Sequence, residues 1–421
     1  MYPKLFLLGL FLICQLIWSG VATPPALALA LPSNIAPTTN KHLVAEVWKI
    51  VNQAYLDDSF NHQNWWQIRE NTLKGELDSQ ESTYTVIKDM LANLGDPFTR
   101  FLPPDQYRGL KVNTSGELSG VGLQIMINPE TKILEVISPL EGSPAAKAGI
   151  QVRDQILEIN GVLSSTLTLD EAATKMRGRI GTKVKLKVQT IGQVAVEMEL
   201  QRDRITLNPV YAQLDNSTGQ SIGYIRLTQF SANAPKEIAH AIADLETKGV
   251  TGYILDLRNN PGGLLQAGID IARFWLDEAT VVYTVNRQGM MGSFTSTDKA
   301  LTQAPLTVLV NKGTASSSEI LAGALQDNGR AQLVGETTFG KGLIQSLFDL
   351  EGGSGLAVTV AKYETPNHRD INKLGITPDR IVPSELLTFS QVATPEDDQY
   401  QAALKIVTTN TQIAKTNQLD G

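Results

Sequence analysis

The chain has almost no cysteine, few histidines and no basic excess. Cys14 is the one cysteine in 421 residues, and it lies inside the amino-terminal apolar run. Disulfides, thiol catalysis and cysteine-based metal centres are therefore excluded from everything after that run. Four histidines, His42, His62, His240 and His368, are scattered without metal-ligand spacing. No metal or other cofactor is expected. A formal charge of -7 argues against a nucleic-acid partner, which favours a basic face. The run from Leu5 to Trp18 is almost wholly apolar, yet short for a membrane span of about 20 residues. With Lys4 before it and Ala28-Leu29-Ala30 after it, residues 1–30 read as a signal peptide, with an uncleaved anchor as the alternative. The expected protein is exported, and soluble or peripheral.

What remains is long enough for two or three domains. Apolar residues at 43, 44, 47, 50 and 51 repeat with helical spacing, and Tyr84 to Leu94 repeats that rhythm before Gly95-Asp96-Pro97 breaks it. Residues 116–190 change to glycine-bounded β-type runs, Val121–Ile127, Ile133–Ile137, Gln155–Ile159 and Val184–Val188, with one helical stretch at Leu169–Met176. From 221 onward strands and helices alternate: 221–227, 235–247, 252–257, 264–276, 306–310 and 316–328. That alternation predicts an α/β layer with a partly parallel sheet. Residues 386–421 are polar and helix-prone.

Gly120-Val121-Gly122-Leu123 precedes a strand. Its glycines let backbone N–H groups converge as a nest for a terminal carboxylate, and the strand edge behind could pair with an extended peptide. By itself such a segment is as readily an ordinary turn. Together with Gly142-Ser143-Pro144-Ala145-Ala146-Lys147-Ala148-Gly149-Ile150 and Asp154-Gln155-Ile156-Leu157-Glu158-Ile159-Asn160-Gly161, it resembles a PDZ domain. The resemblance implies a substrate C-terminus held between strand 123–127 and helix 169–176. Arg177 either senses the bound carboxylate or is simply solvated.

Ser316-x-x-Glu319 fits a helix capping box. It also fits a nucleophile at a helix start, where free N–H groups can hold an oxyanion. Lys341 stands between Gly340 and Gly342 with Phe339, Leu343 and Ile344 nearby. A lysine desolvated by such neighbours loses its proton readily enough to act as a base. Ser317 and Ser318 are formal rivals as nucleophile. These segments, with Asp256-Leu257-Arg258-Asn259-Asn260-Pro261-Gly262-Gly263, resemble the carboxyl-terminal processing proteases, serine/lysine peptidases carrying an inserted PDZ domain, over nearly all of 41–385. The resemblance implies Ser316 as nucleophile, Lys341 as base, and Gln345 as the residue orienting the lysine. It further implies Gly262 and Ser317 as oxyanion amides and Asp327 as a supporting polar residue.

The implied fold is multidomain α+β. A helical domain (31–109) precedes a PDZ domain (110–192) of β-sandwich-like form with helices. An α/β catalytic core of crotonase or Clp-protease layering (193–385) and a helical segment (386–421) follow. Phe60-Asn61-His62-Gln63-Asn64-Trp65-Trp66 and Gly95-Asp96-Pro97-Phe98-Thr99-Arg100 resemble the cyanobacterial and chloroplast branch. That branch trims a membrane-embedded photosystem II reaction-centre precursor so that the manganese cluster can assemble. The implied enzyme is a monomer in the thylakoid lumen or periplasm. A tail-specific protease of envelope quality control and a non-catalytic PDZ scaffold are the competing readings.

Overall fold

The computed structural model describes residues 37–75, 77–128, 131–140, 142–383 and 387–419; the expected signal segment and Cys14 lie outside them. The chain begins with α1 (Pro37–Ala54), α2 (Trp65–Leu73) and α3 (Gln80–Ala92). The apolar spacing noted above becomes a buried stripe on α1, formed by Leu43, Val44, Val47 and Val51. The Asn64 side chain caps α2 by accepting the Gln67 N–H at 3.0 Å. This helical module is not free-standing. Its core includes Phe101 together with Leu350, Leu356 and Val358 from the last third of the chain. The link is β1 (Arg100–Leu102), followed by α4 (Pro104–Ser115).

A second module then opens with β2 (Glu117–Gly120), β3 (Leu123–Ile127), β4 (Leu134–Pro139), α5 (Pro144–Lys147), β5 (Gln155–Ile159) and β6 (Val162–Leu163). It closes with α6 (Leu169–Met176), β7 (Lys183–Gln189), β8 (Val196–Gln201) and β9 (Asp203–Thr206). Its sheet runs β3-β4-β5-β7-β8, with β6 on β5, while β2 and β9 pair as a neck where the chain enters and leaves. The expected boundary at 192 therefore cuts off a strand, because β8 continues the sheet to Gln201. β8 reads Val196-Glu197-Met198-Glu199-Leu200-Gln201, a full alternation of apolar and polar residues, so this strand was legible and the expected boundary fell short of it.

The remainder comprises β10 (Val210–Asp215), β11 (Ile222–Leu227), α7 (Ala234–Thr247), β12 (Gly252–Asp256), α8 (Leu265–Arg273), β13 (Thr280–Asn286) and β14 (Gly289–Thr295). It continues with β15 (Leu306–Val310), α9 (Ser317–Asp327), β16 (Ala331–Gly335), β17 (Leu343–Asp349), β18 (Gly355–Glu364), β19 (Arg380–Ile381) and α10 (Asp398–Leu419). One sheet is ordered β10-β11-β12-β15-β16-β19 and is parallel from β11 onward. Its strands read as continuous apolar runs because both faces are covered. Ile225, Leu255, Val308 and Leu333 point to the layer of α7, α8 and α9. Tyr224, Ile254, Leu309 and Val334 point to Tyr400, Ala403, Leu404 and Val407 of α10. A second sheet, β1-β18-β13-β14 with β17 on β18, lies beside the first.

One ion-pair network fastens α10 to the strand ends. The Arg258 guanidinium meets Asp256 at 2.7 Å and Asp397 at 2.8 Å with all three side chains buried. Tyr224 Oη donates to Asp256 at 2.7 Å, and Asp397 caps α10 by accepting the Tyr400 N–H at 3.0 Å. Burial alone would raise the Asp397 carboxyl, but the Arg258 hydrogen bonds and charge hold it below its ordinary value. A carboxyl depressed in the folded state stabilises above its unfolded pKa and loses that contribution as pH falls through the folded value. Asp397→Ala is expected to destabilise the protein by about 3 kcal/mol, read from the urea midpoint. Breaking the exposed Lys248–Asp244 pair should change that midpoint by less than about 1 kcal/mol.

Candidate active site

Two loops at the carboxyl ends of β12 and β15 carry the polar groups, the usual position for a site on a parallel sheet. Thr314 Oγ1 donates to the Leu257 carbonyl at 2.8 Å, and the Ala315 N–H donates to the Asn260 carbonyl at 3.0 Å. The loops are thus stitched together just before α9. Ser316 then adopts φ 58° and ψ -121°, a left-handed conformation that costs a non-glycine residue about 1–3 kcal/mol and recurs at active sites. A β-carbon on Gly262 would lie 2.8 Å from Ser316 Cβ and 2.6 Å from the Ala315 carbonyl oxygen. Only glycine therefore fits against the strained serine.

Glu319 is fully buried and joins the two halves of the site. Its Oε2 accepts the Ser316 N–H at 2.8 Å and the Lys341 N–H at 2.9 Å. Its Oε1 accepts the Gly340 N–H at 2.7 Å and the Thr338 hydroxyl at 2.5 Å. The capping arrangement read from the sequence is therefore real on the carboxylate side. The Glu319 N–H closes on the Ser316 carbonyl at 2.8 Å. Tyr363 Oη also donates to that carbonyl, at 3.1 Å.

Ser316, Lys341, Gln345, Gly262 and Ser317 line one cavity of about 660 Å³. The other two serines are committed elsewhere: Ser317 Oγ donates to the Gly263 carbonyl at 3.1 Å, and Ser318 Oγ to the Asn260 carbonyl at 3.0 Å. Burial first, and then the like charge of Arg100, lower the Lys341 amine below the ordinary lysine value. Asp96 and Glu319 pull the other way. The Lys341 ammonium position lies 5.0 Å from the centre of the Phe98 ring.

Three expected roles meet a different geometry. Gln345 Nε2 donates to Thr359 Oγ1 at 3.4 Å, and no hydrogen bond joins the Gln345 side chain to Lys341 among the described residues. The Gly262 N–H is taken by Asn260 Oδ1 at 2.9 Å in a local turn, whereas the Ser317 N–H has no acceptor among the described residues. Asp327 is not beside the site. It ends α9 some 16 Å along the helix from Ser316, at about 1.5 Å per residue. There its carboxylate pairs with Arg369 and accepts the Asn367 N–H.

In the second module β3 is an edge strand packed beside α6, leaving its outer edge open to an added strand. Gly120, Val121, Gly122 and Leu123 turn into that edge. The Val121 and Gly122 N–H groups have no acceptor among the described residues. Arg177 ends α6 with its side chain exposed, and Gly120 backs onto its Cα.

Sequence reasoning missed Glu319 as a junction, Arg258 as an anchor, and the cleft walls Phe98, Arg100, Leu110, Asn113 and Thr114. Phe98 and Arg100 lay in a run already singled out, but nothing local showed that the helical module reaches the site.

The protein-family model for peptidase family S41 matches residues 221–382, and that for PDZ domains matches 135–190. A carboxyl-terminal-processing protease of Synechocystis sp. is 62% identical over 91% of this chain and 90% of its own length. The chloroplastic carboxyl-terminal-processing peptidase 2 of Arabidopsis thaliana is 44% identical over 84% of this chain and 70% of its own. Among solved structures, a photosystem II D1 C-terminal processing protease matches with a TM-score of 0.56 at 38% identity. It covers 86% of this chain and 98% of that one.

Glu319→Gln would set an amide NH2 against backbone N–H donors, leaving buried groups unsatisfied at about 1–3 kcal/mol each. The expected result is a lower melting temperature together with lost activity. Gly262→Ala is expected to abolish activity through the clash with Ser316, with folding checked by circular dichroism.

Proposed function

The chain belongs to peptidase family S41, among the carboxyl-terminal-processing proteases, and from that premise we propose that Ser316 and Lys341 form its nucleophile and base. The observation that carries this reading is the single cavity into which Glu319 ties both segments. Neutral Lys341 takes the Ser316 Oγ proton as Oγ attacks the scissile carbonyl carbon. The Ser317 N–H, at the positive end of α9, faces the developing oxyanion. Lys341 then delivers its proton to the leaving amine, the C–N bond breaks, and water hydrolyses the acyl-enzyme. Gln345 shapes the cavity wall beside the lysine. Gly262 contributes its close approach, and its amide as well once Asn260 yields it.

The substrate's free C-terminus docks on β3, its carboxylate at the amides of Val121 and Gly122 and within reach of Arg177. We assign as substrate the C-terminal extension of the photosystem II D1 precursor, whose trimming lets the manganese cluster assemble. The similarity to a D1 processing protease supports this assignment. The enzyme acts as an exported monomer in the thylakoid lumen or periplasm, in keeping with its cyanobacterial and chloroplast relatives.

A peptide ending in that extension should be cut at one site. Ser316→Ala and Lys341→Ala should each lower kcat/KM by roughly 10³-fold or more. Amidating the peptide's C-terminus should raise KM about tenfold with kcat nearly kept. Equal cutting of unrelated unfolded tails would argue for a quality-control protease instead. Undiminished cleavage by Lys341→Ala would remove the dyad.

A further inference from the structure

The catalytic cavity carries charge of one sign. In a chain with 43 acidic and 36 basic residues, its described lining includes Arg100 and Lys341 but neither aspartate nor glutamate. Glu319 lies behind the wall, buried and engaged by four donors. With Lys341 neutral, as a base must be, Arg100 is the remaining charge on the described walls. Much of the rest is apolar, including Leu264, Leu265, Ile320, Leu343, Ile344 and Leu347.

The backbone sets Arg100 in that wall. Asp96 accepts the Phe98 N–H at 2.9 Å and the Thr99 hydroxyl at 2.7 Å. Thr99 is buried, and its Oγ1 accepts the Thr359 N–H of β18 at 3.0 Å. Side chains alternate along extended backbone, so Phe98 and Arg100 turn the other way, and both line the cavity. The strand register agrees. Arg100 pairs with Ala357 of β18, which pairs on its other side with Leu347 of β17. Residues opposite one another in a sheet share a face, and Ala357 and Leu347 are cavity residues too. Arg100 is exposed there. Arg258, Arg273 and Arg369 each hold a carboxylate, whereas Arg100 has no such partner among the described residues.

We propose that Arg100 is a specificity-determining residue: it receives an Asp or Glu side chain of the substrate a few positions from the scissile bond, and rejects Lys or Arg there. A guanidinium presents a planar fork that matches a carboxylate and keeps its charge at any working pH. Apolar walls beside it lower the local dielectric, which strengthens an opposite charge and makes a like charge costly. The substrate class is thus a tail that is apolar around the cut and acidic close by. Its free terminal carboxylate is a separate anion, assigned above to the amides of Val121 and Gly122.

The inference rests on the cavity being the place where the peptide is cut. Its test is a set of peptides with one common C-terminus, carrying Glu, Gln or Lys at each of three positions on either side of the scissile bond. At one of these positions the full-length enzyme should prefer Glu to Gln by about fivefold in kcat/KM, mostly through KM. Lys should be the poorest of the three. Arg100→Gln should level Glu with Gln, Arg100→Lys should keep part of the preference, and Arg100→Glu should reverse it in favour of Lys. High salt should compress the wild-type ratio. Each ratio compares peptides on one enzyme, so a general loss of activity or folding cancels. Amidating the peptides should leave the ratio unchanged. A preference that vanishes on amidation would assign Arg100 to the terminal carboxylate and overturn the inference. Equal ratios in wild type, Arg100→Gln and Arg100→Glu would overturn it as well. Undiminished cleavage by Ser316→Ala would instead defeat the reading of the cavity itself.

Discussion

Glu319 is a carboxylate without solvent whose two oxygens receive four donors from two separate stretches of chain. Its partners are the backbone of the serine that opens α9, the backbone of the lysine and glycine before β17, and a threonine after β16. A buried charge is tolerable only when fully hydrogen-bonded, so the carboxylate forces these segments into one arrangement. Serine and lysine are 25 positions apart in sequence, one at the start of α9 and the other in the loop before β17. The carboxylate holds their backbones at a fixed separation, while the side chains remain free to meet a substrate. No hydrogen bond between the Ser316 hydroxyl and the Lys341 amine is present among the described residues.

Around that junction the fold supplies reinforcement from every module. The parallel sheet delivers two loops at its carboxyl edge, and α10 covers the sheet's far face while its cap, Asp397, grips Arg258 below those loops. The helical module packs on β17 and β18 and sends Phe98 and Arg100 into the cleft. Helix α4 contributes Leu110, Asn113 and Thr114 to the cavity and leads through Gly116 into β2, the neck of the PDZ domain.

Much of this was legible in the sequence, and the limits have physical causes. Helix Leu169–Met176 and strand Leu306–Val310 coincide with the expected spans because their ends carry clear signals, a Thr-x-x-Glu capping box in the first and full burial in the second. Strands β13, β14 and β18 were not anticipated; β18 packs against β1 and β13 from distant parts of the chain and its first half is buried without alternation. The cavity gathers Ser316, Lys341, Gln345, Gly262 and Ser317 as the motifs implied, but motif spacing could not report hydrogen-bond directions. Gln345 faces Thr359, the Gly262 amide faces Asn260, and Asp327 serves the Arg369 loop at the far end of its helix. Glu319 illustrates the same limit from the other side. Its capping role was visible three residues from Ser316, whereas its hold on Gly340 and Lys341 exists only once the chain has folded.

The central claim is that this frame activates one hydroxyl among three adjacent serines. It is tested most directly by treating the folded enzyme with a fluorophosphonate and mapping the adduct by peptide mass spectrometry. The account predicts modification of Ser316 alone, abolished in Lys341→Ala. An adduct on Ser317 or Ser318, or Ser316 labelling that persists undiminished without Lys341, would contradict it.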